Sequence, residues 1–141
     1  RVLDGAFPHY EKVIPSSFEH CVAFERAELL SALARINIVA KQEKEKAVWL
    51  FGDGIVQIKA ETEGIGRANE EVALVDIKGL QMPRKGFECA INSRYIMDTL
   101  NVMTTKNVRM EFNSPLNPFL FTEVDADPSA HFLYVAMPMQ V

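Results

Sequence analysis

Cysteine is scarce in this chain, with Cys21 and Cys89 the only two among 141 residues. Each sits in an apolar, strand-like stretch with no metal-ligand spacing around it. The expectation is two free, buried thiols in a reducing cytoplasm, not a disulfide framework. Long apolar runs are missing too: none approaches the roughly 18 residues of a membrane-spanning helix, and no signal-peptide pattern opens the chain. The three histidines, His9, His20 and His131, are far apart and stand beside no nucleophile in a recognisable motif. A phosphate loop is absent, and Gly64-Ile65-Gly66-Arg67 lacks the rest of a dinucleotide fingerprint. Together these absences argue against an enzyme and leave no cofactor or metal to expect. Excess positive charge is lacking as well. The net charge of −4 disfavours nucleic-acid binding by bulk charge but leaves room for a local basic face. The chain begins with Arg1 and not Met, which suggests processing or a piece of a longer protein.

What is present is an ordinary globular composition, 48% hydrophobic and 24% charged, with one domain as the expected organisation. Residues 1–15 carry Pro8, Pro15 and Gly5, which prevent a helix, yet also Phe7, Tyr10, Val13 and Ile14, too apolar for a solvated tail. They read as a connector held along a surface. A strand is expected over 18–24 and a helix over 25–41, whose wheel puts Leu29, Leu33, Ile36 and Ala40 on one stripe flanked by Leu30 and Ala32. Ile38 falls opposite, near Ser31 and Arg35, with Val39 close by; a scattered surface apolar and a partner-facing patch are both open readings. Residues 47–61 read as a hairpin turning at Asp53-Gly54. Then come a loop at 64–67, a strand over 69–77 and a loop over 79–86.

The pattern then starts again. A short strand over 87–91 leads to an Asn92-Ser93 cap and a helix to about Met103, with Ile96, Thr99, Leu100 and Met103 inward and Arg94, Asp98 and Asn101 outward. Strands at 108–112 and 119–124 flank a Pro-containing loop, and a terminal apolar strand closes the set. Each half is strand, helix, three strands: an α+β fold built from duplicated βαβββ units, both helices on one face of the sheets. Arg35, Lys41, Arg94 and Lys106 on or beside the outward helix faces form either ordinary solvated decoration or a mildly positive, nucleic-acid-facing surface. The C-terminal stretch is apolar from Phe132, and Pro138 stops its strand. Met137 and Met139, on either side of Pro138, are adaptable apolar side chains. Either this is a last core strand with a frayed tail, or something covers it.

Two terminal motifs carry a resemblance across the whole chain. Arg1-Val-Leu-Asp-Gly-Ala-Phe-Pro-His-Tyr-Glu-Lys-Val-Ile-Pro15 resembles the junction between the second and third domains of bacterial sliding clamps, the beta subunits of DNA polymerase III. Tyr134-Val-Ala-Met-Pro-Met-Gln-Val141 is similar to that family's C-terminus. Phe87-Glu-Cys-Ala-Ile-Asn-Ser-Arg-Tyr-Ile-Met-Asp-Thr-Leu100 and Asn107-Val-Arg-Met110 fall where the family has its second helix and next strand. The resemblance implies a connector over 1–16 from a preceding, absent domain and a C-terminal clamp domain over 17–141. It implies a non-catalytic, head-to-tail dimeric ring around duplex DNA that keeps a polymerase attached. Arg35, Lys41, Arg94 and Lys106 then become phosphate contacts, which carry no sequence information. Ile38 and Val39 become part of the subunit interface, with the acidic stretch 61–76 flanking that edge. The tail becomes half of a pocket for short linear motifs of polymerases, clamp loader and repair proteins. Its expected lining is Pro8, Lys12, Val13, Asn92, Tyr95, Leu116, Pro118, Val135, Met137, Pro138 and Met139. Gln140 stands where the family often has arginine, which puts an ionic contact there in doubt. The alternative is a protein-interaction module with the same repeat and no link to DNA.

Overall fold

Residues that alternate between apolar and polar along an extended chain can bury one face, and most strands here do so. Ala47, Trp49 and Phe51 point inward from β2 (Lys46–Phe51), as Val56, Ile58 and Ala60 do from β3 (Ile55–Thr62). The computed structural model describes residues 17–40, 45–62, 64, 66–77, 80–124 and 134–139. In the first half β1 (His20–Glu25) and α1 (Arg26–Ala40) precede β2 and β3, and β4 (Gly66–Ala73) follows. The second half repeats the order as β5 (Glu88–Asn92), α2 (Ser93–Val102), β6 (Asn107–Phe112), β7 (Phe119–Glu123) and β8 (Tyr134–Ala136). This is the expected α+β duplication.

Each half lends its first strand to the other. The sheets run β1-β6-β7-β8 and β4-β3-β2-β5, with every named pairing antiparallel. The exchange recurs at the helix starts. The Arg26 amide donates to the Lys106 carbonyl at 2.8 Å, and the Ser93 amide to the Glu45 carbonyl at 2.7 Å. Each acceptor immediately precedes a strand, β6 or β2. The edges of β1 and β5 are covered alike. After β4 the chain returns to β1, where Cys21 and Gln81 exchange two backbone hydrogen bonds of 2.9 Å. After β8 the Met139 amide reaches the Ala90 carbonyl of β5, also at 2.9 Å.

The helices pack against each other, and α1 also lies along β3 and β4. Leu29, Ala32, Leu33, Ile36 and Ala40 are buried on α1, and Ile96, Thr99 and Leu100 on α2, as the wheels predict. The sheets meet through rings: Phe112 of β6 lies 5.4 Å from Phe51 of β2, and within its own sheet it lies 5.6 Å from Phe119 of β7. Burying each such side chain contributes about 1.5–3 kcal/mol. Cys21 and Cys89 are free and buried, as expected.

Several boundaries differ from the sequence reading. β1 starts at His20, not Phe18, and β4 starts at Gly66 because the register that pairs Thr62 with Gly66 shortens the connecting loop. Residues 74–77 leave the sheet, and the Val75 amide donates to Ala23 on the outer edge of β1. The Asp53-Gly54 turn stands as expected, with Gly54 at φ 73°, a conformation that glycine adopts without strain.

Candidate functional site

The end of the chain meets the start of α2. Asn92 caps that helix, its side-chain oxygen accepting the Tyr95 amide at 2.8 Å. The cap orients the first turn so that the Tyr95 hydroxyl donates to the Val135 carbonyl at 2.7 Å. Beyond β8 the Met139 amide is held by Ala90, so the tail is fastened on both sides of Met137 and Pro138. Between these fastenings Met137 is 57% exposed, while Val135, Pro138 and Met139 are half-buried.

The β6–β7 loop comes to the same end. Phe119 pairs with Ala136, and continuing that register carries Pro118 alongside Met137. The loop folds on itself through Ser114 and Asn117, whose side chains are hydrogen-bonded, and through the Leu116 amide, which donates to Ser114 Oγ at 3.2 Å. Such a tight turn turns Leu116 outward, 81% exposed. Asn92, Tyr95, Val135 and Met139 are thus joined through α2, β8 and the tail, with Pro138 between the last two and Pro118 next to Met137 by register. The resemblance gave Asn92 and Tyr95 as pocket lining. Their polar atoms also act within the fold, one as a helix cap and one as a staple on β8. Pro8, Lys12, Val13 and Gln140 lie outside the described residues.

The basic positions do not form one free stripe. Arg35 Nη2 lies 2.8 Å from Glu70 Oε1, and its Nε donates to the same oxygen at 2.9 Å. That hydrogen bond raises the Arg35 pKa; burial opposes it, and the Glu70 charge adds to it. Arg94 pairs with Asp98 one helical turn on, at 3.3 Å. Lys106 is exposed and forms no ion pair among the described residues, while Lys41 lies outside them. Ile38 is 65% exposed. Val39 differs: it is half-buried against the core, and its carbonyl accepts the Thr62 hydroxyl at 3.0 Å. Of the two, Ile38 alone presents its side chain to the surface, and Val39 packs partly against the core. Next to them β4 forms the outer edge of its sheet, bearing Glu70 and Glu71.

Sequence reasoning missed the contact at the helix crossing, where the buried Ser93 Oγ lies 2.7 Å from the Asn37 carboxamide and 2.9 Å from the Glu45 carbonyl. A polar residue on a helix's apolar stripe was the available signal. Two concavities lie elsewhere. One of about 340 Å³ lies beside Asp53 and Lys85, and one of about 600 Å³ is bordered by Lys46, Lys59 and Arg67. Neither contains an expected site residue. Among the described residues no group of three or more His, Cys, Asp or Glu could hold a metal ion, and no helix is long and apolar enough to cross a membrane.

The chain as a whole resembles known proteins. The family described as the DNA polymerase III beta subunit, C-terminal domain, matches residues 11–140. A beta sliding clamp from Pseudomonas putida is 30% identical over 141 residues, covering 100% of this chain and 36% of that protein. The crystal structure of a DNA polymerase III beta subunit from Thermotoga maritima superposes with a TM-score of 0.83 at 26% identity, covering 100% of this chain and 36% of that one. A Pseudomonas aeruginosa sliding clamp bound to griselimycin superposes at 0.81 with 28% identity, covering 98% of this chain and 35% of that one. The chain therefore spans about a third of the length of the curated relatives it matches.

Proposed function

This chain belongs to the DNA polymerase III beta subunit family, as its C-terminal domain, and we propose that it forms part of a ring-shaped, non-catalytic clamp on duplex DNA and offers its tail as a peptide-binding pocket. One observation carries the pocket. An apolar tail is fastened at Val135 and Met139 while the side chain of Met137, between them, stays exposed. Fixed backbone with exposed apolar side chains suits a guest that inserts its own apolar groups. Leu116, Pro118, Val135, Met137, Pro138 and Met139 supply the apolar wall, with Tyr95 and Asn92 at its polar side. Pro8, Lys12 and Val13 add to it from a connector over 1–16, the domain proper runs over 17–141, and the other half of the pocket belongs to the preceding domain of the longer protein. The partners are the clamp-binding motifs of DNA polymerases, clamp loader and repair proteins.

Ring closure would use Ile38 and the acidic β4 edge in a head-to-tail homodimer of the longer protein. An exposed apolar side chain beside an unpaired strand edge is a surface that wants a partner. For DNA, Lys106 and Arg94 lead as phosphate contacts, with Lys41 beside them; Arg35 shares its charge with Glu70 and contributes less. The reading unrelated to DNA has no observation in its favour.

Two measurements test this. Griselimycin titrated into the longer protein should bind at one site per chain and shift the amide resonances of Tyr95, Met137 and Met139; unmoved tail resonances would overturn the pocket. The longer protein, loaded on nicked circular DNA, should stay bound until the circle is linearised. Loss from intact circles at the same rate would overturn the ring.

A further inference from the structure

Sulfur is unevenly protected in this domain. All six methionines lie among the described residues, and Met137 alone is exposed, at 57%. Met82, Met97 and Met139 are half-buried, while Met103 and Met110 are 3% and 0% exposed. The thiols are no easier to reach. Cys21 and Cys89 are buried, and burial first, with a nearby glutamate second, pushes both above the ordinary thiol range, so neither offers a thiolate near neutral pH. Thioether oxidation needs no deprotonation and follows exposure.

We propose that Met137 is a modification site: a hydroperoxide converts its thioether to the sulfoxide before other sulfurs react, and the sulfoxide closes the tail pocket to apolar guests. The second half rests on the pocket reading above. In the reaction the sulfur lone pair attacks one peroxide oxygen. An S–O bond forms as the O–O bond breaks, and the departing oxygen takes up the proton, leaving as water when the oxidant is hydrogen peroxide. Sulfur loses two electrons and the peroxide gains them. The product replaces an apolar, adaptable side chain by a polar one that prefers water. The surrounding backbone cannot carry that group away, because Val135 is held by Tyr95 and Met139 by Ala90. Pro138 stiffens the link between Met137 and Met139. The oxygen therefore stays at the mouth of the pocket, where a guest would have to strip its water. A sulfoxide reductase would reverse the change.

The test uses hydrogen peroxide on the folded chain, with peptide mapping by mass spectrometry at low conversion, and on the longer protein, with griselimycin titration before and after. Met137 should be modified first, and Met103 and Met110 last. Conversion at Met137 should weaken griselimycin binding by about tenfold, the size of losing roughly one buried apolar contact. Sulfoxide reductase should restore it. Met137→Leu sets its own starting affinity, which peroxide should then leave unmoved, whereas Met82→Leu and Met97→Leu should stay as sensitive as the unaltered chain. Earlier modification elsewhere would overturn the site, and a peroxide-sensitive Met137→Leu would overturn the switch. A longer protein that fails to bind griselimycin before any oxidation would overturn the pocket reading, and the switch with it, while the mapping result would stand.

Discussion

Ser93 at the start of α2 and Asn37 near the end of α1 lie 2.7 Å apart, both buried where the two helices cross. The Ser93 hydroxyl has one proton and faces two oxygens, those of Asn37 and, at 2.9 Å, Glu45. The arrangement is complete when that proton goes to Glu45 and the Asn37 carboxamide turns its NH2 towards Ser93. Ser93→Ala should then leave the buried carboxamide without this partner and lower stability by about 1–3 kcal/mol. Ser93→Ala with Asn37→Leu should recover part of the loss, since an apolar pair needs no partner. Urea denaturation checks both, and a double variant weaker than the single one would assign the pair no such role.

Glu123 ties the end of α2 to β7. Its Oε2 accepts the Thr104 amide at 2.8 Å and the Thr105 amide at 2.9 Å. Burial pushes this carboxyl up, but those amides and the two threonine hydroxyls outweigh it and hold the pKa below the ordinary 4.5. A lowered folded pKa means the carboxylate favours the folded state above pH 4.5 and loses that contribution as pH falls through the folded value. Stability of the unaltered chain should therefore fall with acidification below this point, and Glu123→Gln should flatten that part of the profile. Thermal melts from pH 6 to 3, roughly spanning the ordinary carboxylate range, would show it. Parallel profiles would remove Glu123 from the acid response.

Much of this fold was legible because its helices bury regular stripes. Leu29, Leu33 and Ile36, like Ile96 and Leu100, mark their inward faces by spacing alone, and Asp53-Gly54 marks its turn. The exchange of β1 and β5 between sheets was not legible, since edge pairing depends on backbone hydrogen bonds such as Arg26 to Lys106 across long sequence separations. At the site, the residue types around Tyr95 and Met137 were readable, but not the internal hydrogen bonds that Asn92 and Tyr95 make. Nor was the Arg35–Glu70 pair, because Glu70 reaches α1 only after β4 has folded beside it. A helical wheel shows which way a side chain leaves its helix, not what meets it there.

Ile38 and Val39 should separate on mutation. Ile38 is exposed in the last turn of α1, which carries no basic residue. Ile38→Lys places a cation at a helix C-terminus, where it is favourable by about 0.3–1 kcal/mol, so the chain should be unharmed or slightly stabilised. Val39→Asp pushes a carboxylate into a half-buried contact with the core and should cost about 1–3 kcal/mol. In the longer protein, Ile38→Lys should shift the assembly from dimer towards monomer in sedimentation while the domain stays folded. A dimer of unchanged strength would take Ile38 out of the interface.

On the pocket proposed above, removing residues 137–141 from the longer protein should abolish its griselimycin binding and leave most of the domain folded. The deletion takes Met137, Pro138 and Met139 from the pocket, and each apolar side chain that a guest would bury is worth roughly 1.5–3 kcal/mol. Half of that loss would move a micromolar ligand by about two powers of ten. For the fold, the deletion removes the Met139–Ala90 hydrogen bond, a net contribution of about 1 kcal/mol, and uncovers the outer edge of β5. It keeps the Tyr95–Val135 bond and the pairing of β8 with β7. Circular dichroism should therefore change little, while the melting temperature falls by a few degrees, the shift expected of about 1 kcal/mol in a domain of this size. Undiminished binding by a folded truncation would make the tail only the end of a core strand. If the truncated chain unfolds, the pair Met137→Asp and Met139→Asp in the intact tail answers the same question, because it spoils the apolar wall while keeping the backbone bond to Ala90.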